Sequence, residues 1–423
     1  MTTLLLEDCM SAIIDYRGKS PRKTSSGVPL ITAKVVKRGR VETPNEFIDP
    51  DEYEEWMRRG LPQVGDVVIT TEAPLGEVAQ LSDSRIALAQ RLILLRGKTG
   101  LLDNRYLKYL LMSDEMQGQL ASRASGTTVV GIRQSELRKI ALSLPSIKEQ
   151  EAIAAVLGAL DEKIDQNRRT NLALEELARA TFKAWFIDFE PVKAKAAGQT
   201  SFPGMAPVTF AALPDRLTDS LLGPVPEGWE IQQIGDLVEV KGGGTPSTKV
   251  AEYWDGGTHF WATPKDLSGL QDPVLLETNR RITDAGAECI SSGVMRKNTV
   301  LLSSRAPVGY TALAKVPVAV NQGFIAMVCD GPLPPHFVLH WTRSMLDEIK
   351  SRASGTTFPE ISKSAFRPIP VVLPCVAVVQ AFEEFVASLF DLIEANARQS
   401  LSLKEMREYL LPRLLSGAAR VRV

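Results

Sequence analysis

The chain has 423 residues, of which 44% are apolar and 23% are charged, and its formal net charge is −1. This composition is typical of a soluble globular protein large enough for two or more domains. The N-terminal MTTLLLEDCM has no basic flank, and the longest apolar run, residues 371–379, is short and broken by Pro374. The sequence therefore predicts neither a secretory signal nor a membrane contact, and it favours a cytoplasmic protein. Four scattered cysteines predict reduced thiols rather than a disulfide or zinc framework.

Basic residues are concentrated near the N-terminus. Between Tyr16 and Val41 there are eight Lys or Arg residues and no acid, and an acidic stretch follows at residues 49–55. A basic face on a neutral protein is compatible with DNA binding, although the same segment could be an ordinary solvated surface. The candidate DNA contacts in this segment are Arg17, Lys19, Arg22, Lys23, Lys34 and Lys37.

The elements that follow in chain order alternate between a compact domain and a helix. Residues 1–146 contain short β-rich runs, many Gly and Pro, and a helical stretch near 105–120, which predicts a small α/β domain. Residues 147–190 contain a predicted helix over about 147–186, because no proline occurs between Pro145 and Pro191. Apolar or small residues step through it by four and three, as in a coiled coil. Forty residues of helix span roughly 60 Å.

The sequence contains this domain-and-helix arrangement twice. The string SRASGTT begins at Ser122 and again at Ser351, and the offset of 229 residues continues through the helix. The second copy gives a domain over 227–375, a helix over 376–416 and a tail over 417–423. Residues 191–226, rich in Ala, Gly and Pro, are predicted to form an extended linker between the copies. Two copies of one unit predict pseudo-two-fold symmetry.

A helix with a coiled-coil seam needs a partner, and the other copy supplies the nearest one. We expect an antiparallel pair that holds the two globular domains at opposite ends. Where an approximate dyad crosses such a pair, equivalent residues meet, so Asn167 and Asn396 are expected to face each other; alternatively, both point to solvent. The predicted seam includes Leu160, Ile164, Asn167 and Leu174 in the first helix and Leu389, Ile393, Asn396 and Leu403 in the second.

The second copy opens with a polar loop, Lys241–Lys249, that is rich in glycine and hydroxyl groups. Such a loop suits close backbone approach to phosphates, and Lys or Arg can also reach base edges. The aromatic residues nearby can instead be turn and core residues. A residue that distinguishes one base from another should differ between the copies. The candidates here are Lys241, Thr245, Ser247, Lys249 and Lys265.

Motifs for chemistry are missing from the sequence. There is no GxxxxGK[ST] phosphate loop, and Gly242–Gly244 is followed by Thr-Pro rather than by a helix start. There is no Asn-Pro-Pro-aromatic tetrapeptide of the kind that amino-methyltransferases use. His336 and His340 are spaced for one helical face, but no further metal ligand is suggested. We therefore expect no metal, no cofactor and no catalysis by this chain alone.

The layout resembles the specificity subunit of type I restriction–modification enzymes over nearly the whole chain. The matching elements are Gly244–Ser247 with Tyr253-Trp254, Ser304–Gly309, Asn321–Gly323, both Ser-Gly-Thr-Thr loops and Lys183–Pro191. The first copy is poorer in the Tyr-Trp and Trp-Ala-Thr elements, so its DNA-contact loop is less clearly placed. The resemblance adds Arg305, within the Ser304–Gly309 run, to the candidate DNA contacts.

The resemblance implies a mixed α/β fold: two similar target-recognition domains joined by two long antiparallel coiled-coil helices. Each domain would read one half of a bipartite, asymmetric site in double-stranded DNA. The helices would set the spacer and dock two methyltransferase subunits, and restriction subunits would complete the enzyme. S-adenosylmethionine and ATP with Mg would then bind only to those partners. Two alternatives stay open at this point: a stand-alone DNA-modifying enzyme and a coiled-coil scaffold unrelated to DNA.

Overall fold

A computed structural model of the chain describes residues 2–16, 20–355 and 359–421. It is a mixed structure of helices and strands that separates into two compact units. Unit 1 contains residues up to Ile164 together with those from Ser402 onward, and unit 2 contains Asp165–Leu401. Within the described ranges, none of the helices combines the length and the apolarity that a bilayer crossing requires.

Unit 1 is built on two four-stranded sheets. The first is antiparallel, in the order Met10–Asp15, Leu92–Gly97, Val67–Thr71, Leu75–Gln80. The second has the order Ala87–Leu88, Val28–Ile31, Phe47–Ile48, Lys23–Thr24, and its first pair is parallel. Thr2–Leu5 pairs with Ala141–Leu144 and closes the domain just before the long helix, and Val36–Lys37 pairs with Arg40–Val41.

Two adjacent α-helices of unit 1 start at residues whose side chains cap them. Asp103 accepts from the Tyr106 amide at the start of Asn104–Met112, and Ser113 accepts from the Met116 amide at the start of Asp114–Arg123. Capping satisfies backbone N–H groups that have no partner within the helix. The predicted single helix near 105–120 is therefore two. The remaining short helices are Leu6–Cys9, Pro50–Glu52 (3-10), Tyr53–Trp56 and Gln134–Arg138.

Unit 2 repeats this topology. Its antiparallel core has the order Glu239–Lys241, Phe324–Val328, Val300–Ser303, Thr311–Ala314, with Val274–Leu275 added in parallel. A three-stranded sheet follows the order Arg280–Ile282, His259–Ala262, Val318–Val320. Glu230–Gln233 pairs with Pro370–Leu373 just before the second long helix. The duplication read from the sequence is thus visible sheet by sheet.

The short helices of unit 2 lie around these sheets. They are Glu190–Ala196, Pro207–Ala211, Ile234–Leu237, Ala251–Tyr253 (3-10), Pro264–Ser268, Asp284–Glu288, Pro335–Ser344, Leu346–Ser351 and Lys363–Phe366. The short strands Leu217–Thr218 and Val225–Pro226 form a separate pair.

The segment 191–226 is not an extended linker. It contains two short helices and a strand pair, and Val192, Phe210 and Leu213 are buried in the core of unit 2. Each fully buried side chain of this size stabilises the fold by about 1.5–3 kcal/mol relative to an exposed one. The apolar residues scattered among Ala, Gly and Pro therefore fold this segment onto unit 2.

Two helices of 40 residues each, Ile147–Phe186 and Val376–Leu415, contribute to both units. We call them the first and the second long helix. In unit 2 they are antiparallel: Asn171 reaches the Ile393 carbonyl, while Phe182 packs on Phe382. In unit 1, Leu157 and Leu414 share one core. All eight residues named for the seam are buried or half-buried.

The buried stripe is wider than a coiled-coil seam. In unit 2 it also includes Phe182, Phe186, Phe390 and Ala397. Phe182 and Phe186 both contact Phe337, which lies on the domain helix Pro335–Ser344. The long helices therefore pack against globular elements as well as against each other, which a seven-residue repeat does not reveal.

Asn167 and Asn396 meet, although not side chain to side chain. Asn167 Nδ2 lies 3.2 Å from the Asn396 carbonyl oxygen and also donates to Gln399 and Ser400. The Asn396 side chain instead donates to Asn171 Oδ1 at 2.9 Å. Both asparagines point into the helix pair rather than to solvent.

Candidate nucleic-acid interface

In unit 1, a small cleft gathers part of the predicted basic segment. Its lining includes Ser20, Lys23, Lys34, Gln90 and Arg91, and its volume is about 180 Å³. The strand ends of the second sheet place these residues, since the Ala89 amide donates to the Ile31 carbonyl at 2.9 Å. Lys23 forms an ion pair with Glu46 at 2.8 Å. The cleft combines hydroxyl, amide and cationic groups, which suits contacts to DNA phosphates and base edges.

A larger cleft of about 580 Å³ adjoins it and shares Ser20 and Pro21. Arg22 lines this cleft together with Tyr16, Trp56, Arg58 and Arg59. The Tyr16 hydroxyl donates to the Gly60 carbonyl, and burial raises its pKa to about 12, so it stays neutral. Arg58 and Arg59 lie outside the basic segment seen in the sequence and were missed, because the acidic residues just before them hide their charge.

One described predicted contact, Lys37, does not join these clefts. Lys37 lies on the strand pair Val36–Lys37 with Arg40–Val41, forms an ion pair with Glu42 at 3.4 Å, and lines neither cleft. Arg17 and Lys19 lie outside the described residues. The basic segment is therefore divided: Arg22, Lys23 and Lys34 converge, whereas Lys37 points to another surface.

In unit 2, hydrogen bonds hold the polar loop on the three-stranded sheet. The Gly244 amide donates to the Val320 carbonyl at 3.0 Å, and Thr245 Oγ1 donates to Gln322 Oε1 at 2.6 Å. Glycine is required at Gly243, because a Cβ there would lie 1.9 Å from the Val320 oxygen. Thr245 and Ser247 are exposed. The loop thus presents its hydroxyl groups from a backbone fixed to the sheet.

The cationic candidates of unit 2 surround this loop. Lys249 is exposed at its end, and Lys265 is exposed in the first turn of the helix Pro264–Ser268, which a Thr263–Asp266 capping box starts. Lys241 is half-buried and forms an ion pair with Glu239 at 3.1 Å. Lys363 was missed by the sequence reasoning, yet a Cβ at Gly242 would lie 3.0 Å from its Nζ.

Two tryptophan side chains bond to the polar loop, and an arginine side chain stacks on one of them. The indole N–H groups of Trp254 and Trp261 donate to the carbonyls of Ser247 and Gly244, at 3.1 and 3.0 Å. Arg280 stacks on Trp254, with its guanidinium carbon 3.5 Å from the ring centroid. Arg280 was missed because it is 31 residues beyond Lys249, the end of the loop. The tandem Arg280-Arg281, which forms the first two residues of the strand Arg280–Ile282, was its one signal in the sequence.

Arg305 belongs to a different feature. It pairs with Glu360 at 3.7 Å, and the backbone of Glu360 bridges to Ser354 in the repeated SRASGTT string. In unit 1, Gly131 bridges to both Glu72 and Ser125 in the same pattern. Ser354 and its counterpart Ser125 therefore form equivalent bridges in the two units. Arg305 contacts Glu360 through both its side chain and its backbone, and it is not part of the polar loop.

The described residues contain no group of three or more His, Cys, Asp or Glu side chains arranged to hold a metal ion. His336 Nδ1 instead lies 2.8 Å from Glu383 Oε1, and His340 stacks on Phe182. The clefts of unit 1 and the polar loop of unit 2 offer hydroxyl, amide and cationic groups on fixed backbones. Their chemistry is that of recognition by hydrogen bonds and charge.

Comparisons with known proteins agree with this geometry. Residues 23–176 and 226–404 match the family model of the type I restriction modification DNA specificity domain. The MjaIX specificity subunit of Methanocaldococcus jannaschii is 27% identical over 84% of this chain and 78% of its own. The HindI specificity subunit of Haemophilus influenzae is 27% identical over 74% and 76%.

A solved structure shares the fold. The S subunit of a type I restriction–modification system from M. genitalium has a TM-score of 0.61 at 15% identity, covering 98% of this chain and 95% of that one. The family model matches twice and covers most of the sequence, at the two places where the repeat was read. The chain belongs to the family of type I restriction–modification specificity subunits, whose role is DNA recognition.

Proposed function

We propose that this chain is the non-catalytic DNA-recognition subunit of a type I restriction–modification complex. Unit 1 and unit 2 each read one half of a bipartite site in double-stranded DNA. The observation that carries the proposal is that one sheet topology occurs in both units and presents different side chains, at the clefts of unit 1 and at the polar loop of unit 2. Equivalent scaffolds with unlike linings suit two half-sites of unlike sequence.

The two long helices supply the spacer in this proposal. A helix of 40 residues is rigid only when its apolar stripe is covered, and the described stripe is buried in both units. Fixed half-site separation makes spacer length part of the specificity, as it is for other two-headed DNA-binding proteins. The helices also dock two methyltransferase subunits, and restriction subunits complete the assembly.

Catalysis belongs to the partners in this reading. S-adenosylmethionine would bind to the methyltransferase subunits, and ATP with Mg to the restriction subunits. The chain supplies sequence readout, and its Lys and Arg groups supply affinity that falls with salt. Each phosphate contact contributes about −0.9 to the slope of log K against log salt concentration. The complex therefore binds random duplex weakly and its bipartite site tightly.

The test is a map of methylated positions in cells that carry the methyltransferase gene with the wild-type chain or with a variant. Ser20→Ala with Lys34→Ala alters the unit 1 cleft, and Thr245→Val with Lys265→Ala alters the loop of unit 2. Each pair should relax one half of the methylated motif and leave the other half unchanged. Arg216→Ala is the matched control, since Arg216 is exposed and pairs with Glu227 outside both clefts.

Three results would contradict the proposal. The methylated motif could be continuous instead of split, or methylation could persist without this chain. Alternatively, both variant pairs could relax the same half. Methyl transfer by the purified chain alone, in the presence of S-adenosylmethionine and duplex DNA, would favour the stand-alone enzyme instead.

A further inference from the structure

We propose that Arg280 reads a guanine base in the DNA half-site that unit 2 recognises. This inference rests on the proposed function and names one base contact within it. Arg280 lies in the strand Arg280–Ile282, directly opposite Trp261 in the neighbouring strand. It therefore stands on the same sheet that carries the polar loop.

The guanidinium of Arg280 is fixed by two indole rings. Its carbon lies 3.5 Å from the Trp254 ring centroid and 5.6 Å from that of Trp261, and the two rings are nearly perpendicular, at 87°. Both indole N–H groups are bonded to carbonyls of the polar loop. Arg280, the rings and the loop thus form one assembly, in which the arginine has little freedom.

Stacking leaves the recognition edge of Arg280 available. A guanidinium that stacks on a ring uses its flat face, whereas its N–H donors lie in its plane. Arg280 is exposed, and among the described residues no carboxylate forms an ion pair with it. An oriented fork of donors without an acid partner matches the two acceptors of guanine, O6 and N7, which present themselves together in the major groove.

The matching position in unit 1 carries the opposite charge. Arg280 stands opposite Trp261, and the Leu30 amide donates to the Glu46 carbonyl at 2.8 Å, so Glu46 stands opposite Leu30. Trp261 pairs with Ala319 as Leu30 pairs with Ala87, so the two sheets superpose in register. A position that differs this strongly between otherwise equivalent sheets is where two half-sites of unlike sequence would be distinguished.

The neighbouring arginine provides a matched control. Arg281 pairs with Phe260, and its guanidinium carbon lies 4.4 Å from that ring. Successive residues of a strand point to opposite faces, so Arg281 stacks on the face away from Arg280. The two residues share type, strand and aromatic contact. They differ in which face of the sheet they occupy and hence in access to the polar loop.

The experiment uses the complete complex of the chain with its methyltransferase subunits. Random duplexes are selected by the wild-type complex and by R280K and R281K complexes, and the bound pools are sequenced. R280K keeps the charge and loses the fork, so it should lose preference at one G·C pair of the unit 2 half-site by roughly 5- to 150-fold. Preferences at all other positions should stay unchanged, and R281K should select the wild-type site.

A second measurement identifies the atom that is read. Replacing that guanine by 7-deazaguanine removes the N7 acceptor, so the wild-type complex should bind the modified duplex several-fold more weakly. The R280K complex should bind the modified and unmodified duplexes equally. Melting curves of both variant complexes should match the wild type.

Several outcomes would overturn the inference. Uniform weakening at every position, with the salt dependence unchanged because Lys keeps the charge, would make Arg280 a phosphate contact. If the R280K complex selects the wild-type site but melts at a lower temperature, Arg280 has only a structural role in its cation–π contact. A unit 2 half-site that contains no guanine would also contradict the inference. If the wild-type complex selects no sequence, the proposed function itself fails and the inference falls with it. If the wild-type complex selects a split site and the R280K complex selects the same site, the inference is rejected and the proposed function stands.

Discussion

The side chain of Asn396 donates to Oδ1 of Asn171 at 2.9 Å, within the pair of long helices. At the repeat offset of 229 residues, Asn396 corresponds to Asn167 and Ser400 to Asn171. Asn167 Nδ2 lies 3.3 Å from Ser400 Oγ, so the two contacts are counterparts of each other. The dyad of the repeat therefore passes between these two pairs. Equivalent residues lie near one another, yet each bonds to the residue one turn away.

This polar layer predicts a cost when one member is removed. Asn396→Ala leaves the Asn171 oxygen buried without that donor, and it should lower the free energy of unfolding of unit 2 by about 1–3 kcal/mol. Denaturant unfolding at pH 7 measures the change. Glu384→Ala, an exposed site on the same long helix, should stay within about 0.5 kcal/mol of wild type. An equal loss for the two variants would mean that the layer contributes nothing specific.

Asp161 connects both long helices to the domain in unit 1. Its carboxylate accepts from Tyr109 at 2.6 Å, from Lys108 at 3.1 Å and from Arg407 at 2.8 Å. Burial works against the charged form, but Lys108, Tyr109 and Arg407 outweigh it and lower the pKa of Asp161. Asp161→Asn leaves the buried Lys108 and the half-buried Arg407 without this carboxylate and should cost about 3–5 kcal/mol of unfolding free energy.

The pH dependence of this site has a defined sign. A carboxyl with a lowered folded pKa stabilises the protein above its unfolded pKa of about 3.9, and that contribution is lost as the pH falls toward the folded pKa. Wild type should therefore lose stability below about pH 4 more steeply than Asp161→Asn does. Glu162→Gln, on the adjacent exposed position, should keep the wild-type slope. Parallel acid profiles for wild type and Asp161→Asn would contradict the network.

His340 makes unit 2 sensitive to mild acid. Burial, with smaller effects from Arg343, His336 and Arg179, lowers the pKa of His340 to about 3. The unfolded chain binds a proton near pH 6.5 and the folded chain does not, so stability falls as the pH drops below 6.5. The slope contributed by His340 approaches about 1.4 kcal/mol per pH unit.

Replacing His340 by phenylalanine should remove that slope. Both ring nitrogens of His340 are buried without a hydrogen-bond partner among the described residues, and the ring contacts Phe182, Phe382 and Phe390. His340→Phe should thus match or exceed wild-type stability at pH 7 and fall less between pH 6.5 and 4. Unfolding free energies across this range test it.

Gly243 fixes the polar loop on the sheet. A Cβ there would lie 1.9 Å from the Val320 oxygen and 2.6 Å from the Asn321 oxygen, so Gly243→Ala must displace the loop from both. We expect loss of sequence preference in the unit 2 half-site, measured by duplex binding of the methyltransferase complex, together with a lower melting temperature. Gly269→Ala is the control, because nothing lies within 4 Å of its Cβ position. Wild-type selectivity in Gly243→Ala would show that the loop position is unimportant.

Features that depend on neighbours in the chain were predictable. The seven-residue repeat indicates both long helices, because helical periodicity is a local property, and the recurring SRASGTT string reveals the duplication. Loop composition likewise predicted Thr245 and Ser247 as exposed polar groups. The domain limits inferred from these patterns stay predictions, as does the placement of the two domains at opposite ends of the helices.

Long-range pairing decided the rest. Arg280 lies beside the polar loop only because its strand pairs with the neighbouring strand that contains Trp261. Asp161 contacts Lys108 and Arg407 only after the chain has folded. The residues of 191–226 read as a linker because their few apolar side chains have no local period, yet the core of unit 2 covers them. Sequence by itself determined which residue types are available in each copy. The tertiary structure determined which of them meet, because strand register and helix packing join residues that are far apart in the chain.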